Sequence, residues 1–377
     1  MILTQCPACA APLPPRAAKQ CSRCKTRYCG LACQKTHWER GGHDNLCKKI
    51  KRGGGAEQYH ADKKYEEVVS VAVEKCAADT QGQTCYICTE AVHWKTKEGL
   101  VRGCACRGTA GVAHVSCLAE QVRILCDEAA ENHLDMSPRW VRWHTCSLCE
   151  QSYHGVVFCA MGWACWKTYA GRAENNKARM SAMTVLGSAL CAEDQEGALR
   201  VREAELAMLR YHDSPEEYLL IAQGNLANSY QRLGRAEAAL NMYRDEYSGR
   251  LRIFGEEHRD TLMAANNYAN FLIELQHYAE AKSLLRKLAP AAQRVLGESE
   301  QLKFVLRMIY ARALYMAPRA TADDLREAVK ILTETALAAR RVLGGAHPNT
   351  CLMAESLENA RALLRAHEPS PPPTTSY

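Results

Sequence analysis

Most of the 20 cysteines in this 377-residue chain fall in close pairs, and no other feature limits the possible folds so strongly. Between residues 85 and 149 eight potential metal ligands follow one another: Cys85, Cys88, Cys104, Cys106, His114, Cys117, Cys146 and Cys149. They form the pairs Cys-x2-Cys, Cys-x-Cys, His-x2-Cys and Cys-x2-Cys, joined by gaps of 15, 7 and 28 residues. A close pair offers two borderline-soft ligands to one ion across a tight turn, so four pairs suit two tetrahedral zinc ions. Disulfides are not expected. Met1 to Ala11 has neither the basic stretch nor the apolar run of a secretory leader, and the expected compartment is reducing cytoplasm or nucleus.

Residues 1–52 hold a second series: Cys6, Cys9, Cys21, Cys24, Cys29, Cys33, His43 and Cys47. A segment this short cannot bury enough apolar area to fold alone. Structural zinc supplies on the order of 10 kcal/mol, which is sufficient. The run Tyr28-Cys-Gly-Leu-Ala-Cys-Gln34, followed by His37-Trp38, resembles the MYND finger across the whole segment. The resemblance implies one zinc on Cys6, Cys9, Cys29 and Cys33, and another on Cys21, Cys24, His43 and Cys47. His37 is a rival to His43. The choice of His43 rests on its i, i+4 spacing to Cys47, which puts both on one face of a helical turn. The resemblance also implies a groove for proline-containing peptides, lined by Gln34 and Trp38. The alternative for Trp38 is packing over the second zinc site.

In the central series, Arg102-Gly-Cys-Ala-Cys-Arg-Gly-Thr-Ala-Gly and His114-Val-Ser-Cys-Leu118 resemble the RING-CH (RING-variant) finger, here taken as residues 85–154. A PHD finger shares the ligand order but not the Cys-Arg-Gly-Thr-Ala run. The resemblance implies a cross-brace, with Cys85, Cys88, His114 and Cys117 on one zinc and Cys104, Cys106, Cys146 and Cys149 on the other. Four Zn2+ ions, two per finger, would then serve the chain. RING-type fingers of ubiquitin ligases dock a ubiquitin-conjugating enzyme on aliphatic residues inside the first and last pairs. Those places hold Ile87 and Leu148, with Trp143 close by. No protein nucleophile is implied; closed four-ligand zinc sites act structurally, and activity comes from positioning a loaded enzyme. One departure stands out: many active RING domains carry Arg or Lys after the last ligand, where this chain has Glu150.

Between the fingers, residues 53–84 open with Gly53-Gly-Gly55 and continue with apolar residues at helical spacing, reading as one amphipathic helix packed on a finger. Residues 155–179 read as an apolar connecting helix with Trp163, Trp166 and Tyr169. Beyond it, residues 180–366 repeat with a period of 42: Asn225-Leu-Ala before Asn267-Tyr-Ala, Tyr268 before Tyr310, Gly255 before Gly297. The turn Gly255-Glu-Glu-His-Arg-Asp-Thr261 returns as Gly344-Gly-Ala-His-Pro-Asn-Thr350, with a five-residue insertion around Pro318 to Asp323. Two apolar helices per unit resemble the tetratricopeptide repeat in the form found in kinesin light chains. Four units are expected from about Met180 to Leu343, then a capping helix Pro348 to Leu364. The resemblance implies a peptide-binding concave groove faced by Asn225 and Asn267; capping or solvating helix starts is the alternative. Residues 367–377, with Pro369-Ser-Pro-Pro-Pro373, read as an extended tail.

Aromatic residues at 7% argue against a large β-rich core, and the fold class expected is mainly α: two small cross-brace zinc fingers followed by a tetratricopeptide-repeat α-solenoid. Residues 1–52 carry a local charge of +9 within an overall +6. Without an aromatic stripe or recognition helix this basic face is expected to be solvated, and nucleic acid is not expected as a partner. No stretch is long and apolar enough for a membrane span. The function expected is a RING-CH-type ubiquitin-protein ligase. Its central finger would recruit the conjugating enzyme, and its repeats and MYND finger would take substrate proteins or peptides. The alternative is a non-catalytic scaffold.

Overall fold

A computed structural model of the chain describes residues 5–11, 13, 19–345 and 347–367; the Pro369–Pro373 tail lies outside these. The described residues form fifteen α-helices and one two-stranded ribbon, in keeping with the helical class expected. They divide into two compact units, Met1–Ala222 and Gln223–Tyr377.

The first unit begins with the ribbon β1 (Lys19–Gln20) and β2 (Arg27–Tyr28), then α1 (Leu31–Glu39) and α2 (His43–Arg52). Gly54 and Gly55 turn the chain at positive φ into the long α3 (Ala56–Thr80). The central finger contributes α4 (Val115–Glu131), the single turn α5 (Ser137–Trp140) and a 3-10 turn, Val141–Trp143. Next come α6 (Gly155–Tyr169), α7 (Lys177–Leu190) and α8 (Gln195–Tyr211).

Helix α6, read from the sequence as a connector, is instead the axis of this unit. A helix that is apolar on every side must be buried on every side. The run Cys159 to Trp166 is buried without a break, and α3, α4 and α7 pack around it. Gly162 permits the closest of these contacts, since a Cβ there would lie 2.4 Å from that of Ala189 in α7. One buried charge, Arg179 of α7, pins the arrangement. Its Nη2 donates to Glu57 of α3 at 2.8 Å, and its guanidinium lies over the Trp166 ring of α6 at 5.3 Å. Helices α7 and α8, which the repeat period assigns to the solenoid, thus share the core of the central finger.

Helix α9 (Glu216–Arg232) carries the chain across the division. The second unit continues with α10 (Ala236–Phe254), α11 (Arg259–Glu274), α12 (Tyr278–Val295), α13 (Gln301–Tyr315), α14 (Ala322–Leu343) and α15 (Pro348–His367). Consecutive helices pack as hairpins, and α11, α13 and α15 also pack in succession, the pattern of stacked helical pairs. The repeat extends to single hydrogen bonds. Gly255 and Gly344 both take positive φ. His258 and His347 each accept, through Nδ1, the backbone N–H two residues on, at 3.2 Å, and so start α11 and α15 alike. The Tyr268 hydroxyl donates to Glu280, and the Tyr310 hydroxyl to Glu327. The tyrosines are one period apart, while the glutamates are five residues further apart, which places the insertion between α13 and α14.

Candidate metal centres

Each Cys-x2-Cys pair sits in the same backbone loop. The residue after the second cysteine (Ala10, Lys25, Thr89, Glu150) takes a φ between 57° and 65°. Its N–H donates to the carbonyl of the first cysteine: Ala10 to Cys6 at 2.8 Å, Lys25 to Cys21 at 2.9 Å, Thr89 to Cys85 at 2.8 Å, Glu150 to Cys146 at 3.0 Å. The N–H of each first cysteine returns a bond to the carbonyl five residues on, from Cys6 to Ala11, Cys21 to Thr26, Cys85 to Glu90 and Cys146 to Gln151. Such a loop points both thiols to one side and turns intervening backbone N–H groups on the first sulfur. Ile87 N–H lies 3.4 Å from Cys85 Sγ and Leu148 N–H 3.4 Å from Cys146 Sγ.

The loops meet in four clusters: Cys6, Cys9, Cys29 and Cys33; Cys21, Cys24, His43 and Cys47; Cys85, Cys88, His114 and Cys117; Cys104, Cys106, Cys146 and Cys149. Within each, all four ligand atoms lie within 4.8 Å of one another. Four sulfurs about 2.3 Å from a central zinc stand roughly 3.8 Å apart, and mixed sulfur–nitrogen edges are a little shorter. The sulfurs of Cys21 and Cys47 are 3.7 Å apart, those of Cys106 and Cys146 3.8 Å, and those of Cys9 and Cys29 3.5 Å. Cys24 Sγ to His43 Nε2 and Cys88 Sγ to His114 Nδ1 are both 3.4 Å. These residues fit zinc in donor type and in spacing, with four ligand groups in each cluster among the described residues.

His37 falls in no cluster. Its Nδ1 is 3.0 Å from the Tyr28 hydroxyl, and its ring packs beside that of His43. His43, one turn before Cys47 on α2, supplies the imidazole of its cluster.

The electrostatics suit thiolates. Burial pushes the Cys6 thiol up, but N–H groups of Cys29, Ala8 and Cys9 outweigh it and leave the pKa at about 6. Cys149 is lowered to about 7, chiefly by the N–H of Gln151. The last partners to lose their protons bear the mutual repulsion. Burial and the Cys21 and Cys24 thiols raise Cys47 to about 12, and Cys29 and Cys9 raise Cys33 to about 12. A divalent cation at the centre reverses that repulsion.

Around the central finger the two knuckle tips are joined, since the hydroxyls of Tyr86 and Ser147 are 3.2 Å apart. Ile87 and Leu148 follow these residues directly and are 36% and 52% exposed. Trp143 must be corrected. It is fully buried, because the 3-10 turn directs its ring inward onto Trp140 and Tyr169, so it offers nothing to a partner. Glu150 is exposed, with Arg142 Nη2 3.5 Å from its carboxylate. Two supports were not read from the sequence. Glu98 accepts from the Tyr65 hydroxyl at 2.6 Å and from Ser116 N–H at 3.0 Å, tying α3 to the start of α4 beside His114. Gly111 has a φ of 74°, and a Cβ there would lie 2.6 Å from that of Cys106 and 3.0 Å from Cys104 Sγ. A glycine in a ligand-bearing loop was the available signal.

In the N-terminal finger Gln34 and Trp38 lie four residues apart on α1. Trp38 is 43% exposed while its ring packs 5.7 Å from that of His43, so it both covers the second cluster and reaches solvent. Leu31, more exposed still, extends the same face and was not singled out from the sequence. Asn225 and Asn267 stand well inside α9 and α11, half-buried, rather than at helix starts.

Comparison with known proteins identifies residues 6–47 as a MYND finger and residues 218–294 as tetratricopeptide repeat. No curated protein matches the chain. Among solved structures, a Podosopora anserina chain of nearly identical TPR-like repeats, assigned to the kinesin light chains, is 19% identical. It covers 52% of this chain and 100% of its own, with a TM-score of 0.39. BtubC (BKLC) from P. vanneervenii is 16% identical over 70% of this chain and 94% of its own, with a TM-score of 0.37. No helix among the described residues is long and apolar enough to cross a membrane.

Proposed function

We propose that this chain is a zinc-organised scaffold for protein interactions, and that its central finger docks a ubiquitin-conjugating enzyme. A MYND finger and tetratricopeptide repeats in one chain support the first statement, since both are protein-binding modules. The MYND groove at Gln34 and Trp38 and the repeat face at Asn225 and Asn267 then receive peptide segments of partner proteins. Four Zn2+ ions, two in each finger, hold the loops.

The second statement is supported by the exposure of Ile87 and Leu148, each next to one partner of the Tyr86–Ser147 contact. Paired exposed aliphatic residues on metal-fixed turns suit docking: they bury apolar area on contact and lose little conformational freedom. Transfer of ubiquitin would then need no residue of this chain as a nucleophile, only the holding of a loaded thioester where a substrate lysine can attack it. Glu150 favours docking over activation, because an anion occupies the place from which a cation would order the thioester.

Autoubiquitination by the zinc-loaded chain with a panel of conjugating enzymes tests this reading. Activity lost in Ile87→Ala establishes a ligase. Binding without transfer establishes a scaffold that only recruits, and binding of no conjugating enzyme removes the docking role altogether.

A further inference from the structure

In the first unit, where α3, α6 and α8 come together, a cavity of about 540 Å³ opens to solvent. Its inner wall is apolar: Trp163, Leu190 and Val201 are each no more than 5% exposed.

The rim carries positive charge in Lys63 and Arg200. Lys63 lies 5.2 Å over the Tyr59 ring and makes no ion pair among the described residues, and Arg200 makes none either. The acidic groups of the rim are already engaged. Glu67 takes Lys64 at 2.9 Å, and Asp194 caps α8 by accepting the Gly197 N–H at 2.7 Å. A cavity of this size, with an apolar wall and a few polar groups converging on it, has the features of a small-molecule site.

We infer that this cavity binds a small organic anion, with its charged group between Lys63 and Arg200 and its apolar body against Trp163. The site is distinct from the zinc clusters and independent of conjugating-enzyme docking. A carboxylate and a phosphate ester both present the required chemistry: acceptor oxygens for the cations, on a body that can leave water.

Calorimetric titration of the zinc-loaded full chain with phenyl phosphate and with benzoate tests the assignment. Inorganic phosphate and benzyl alcohol carry the two halves of the chemistry separately. At least one aromatic anion is expected to bind about tenfold or more tighter than either control, to move the Trp163 indole N–H resonance, and to lose about tenfold in Lys63→Ala/Arg200→Ala. Both substituted side chains reach solvent, so the variant keeps its fold, which zinc content and circular dichroism verify. The assignment is overturned by the absence of saturable binding, by benzyl alcohol binding as tightly as the anions, or by unchanged affinity in the double variant. Whichever acid binds more tightly identifies the class of the natural ligand.

Discussion

The hydroxyl groups of Tyr86 and Ser147 lie 3.2 Å apart and join the tips of two knuckles that belong to different metal clusters. Ile87 and Leu148, the residues that follow them, are both exposed although 61 positions separate them in the chain. The paired metal clusters fix these knuckles against the core that the central finger shares with α6, α7 and α8.

If that surface docks a conjugating enzyme, Ile87→Ala and Leu148→Ala each weaken binding by about tenfold or more, the effect of losing an interface anchor. Neither residue belongs to the core, so zinc content and melting temperature stay unchanged. Tyr86→Phe removes only the link and gives a smaller loss. Calorimetry against the conjugating enzyme selected in the activity panel measures all three; equal affinity for Ile87→Ala and the parent chain removes the surface from consideration.

Gly111 sits against the second central cluster, and Gly111→Ala places a methyl group against Cys106 at a φ that a side chain disfavours. The combined cost is about 1–3 kcal/mol. It appears as faster zinc release to a chelator from one site in the central finger, with the N-terminal finger unaffected. Release rates equal to those of the parent chain at every site would refute this account of the glycine.

Chelation separates the two units thermally. The core of the N-terminal finger consists of Cys6, Cys21, Cys24 and Cys47 with only Tyr28, Ile50 and Ala56, so removing metal removes most of what holds it. The core of the second unit contains no ligand. Excess chelator is expected to abolish the melting transition of the N-terminal finger and leave that of the repeats in place, as followed by calorimetric scans.

Glu246 of α10 gives the second unit a pH dependence. Burial raises its pKa to about 7, against the opposing pull of Arg250, and a Cβ at Gly224 would lie 2.4 Å from its Oε2. A carboxyl whose folded pKa lies above its unfolded value opposes folding most when ionised. Its cost is fully present above about pH 7 and disappears as pH falls toward the ordinary carboxyl range. Glu246→Gln should thus raise the melting temperature of the repeats above pH 7, with the gain shrinking between pH 7 and pH 5. A gain that grows on acidification would contradict the sign.

The metal clusters were legible in the sequence because ligand spacing is a local property. A tight turn brings Cys85 to Cys88, and i, i+4 spacing selects His43 over His37. The repeat register was legible at Tyr268 and Tyr310 and at the His258 and His347 turns, together with the insertion that separates the Tyr268–Glu280 and Tyr310–Glu327 pairs. What could not be read depends on tertiary contacts. Trp143 turns inward through a single 3-10 turn, and Tyr86 meets Ser147 only after both clusters form. The place of α7 in the first unit follows from a close approach at Gly162 that the 42-residue period does not encode. The all-round apolar character of α6 was legible but pointed further than a connector, since a helix of that composition has to be a core.

Zinc stoichiometry tests the central claim most directly. Release of bound metal from the purified chain into a colorimetric zinc indicator should give about four ions per chain, one for each cluster. His43→Ala should lower the number of tightly held ions to about three, and His37→Ala should leave it at four. Two ions or fewer in the parent chain, or a loss caused by His37→Ala and not by His43→Ala, would contradict the account.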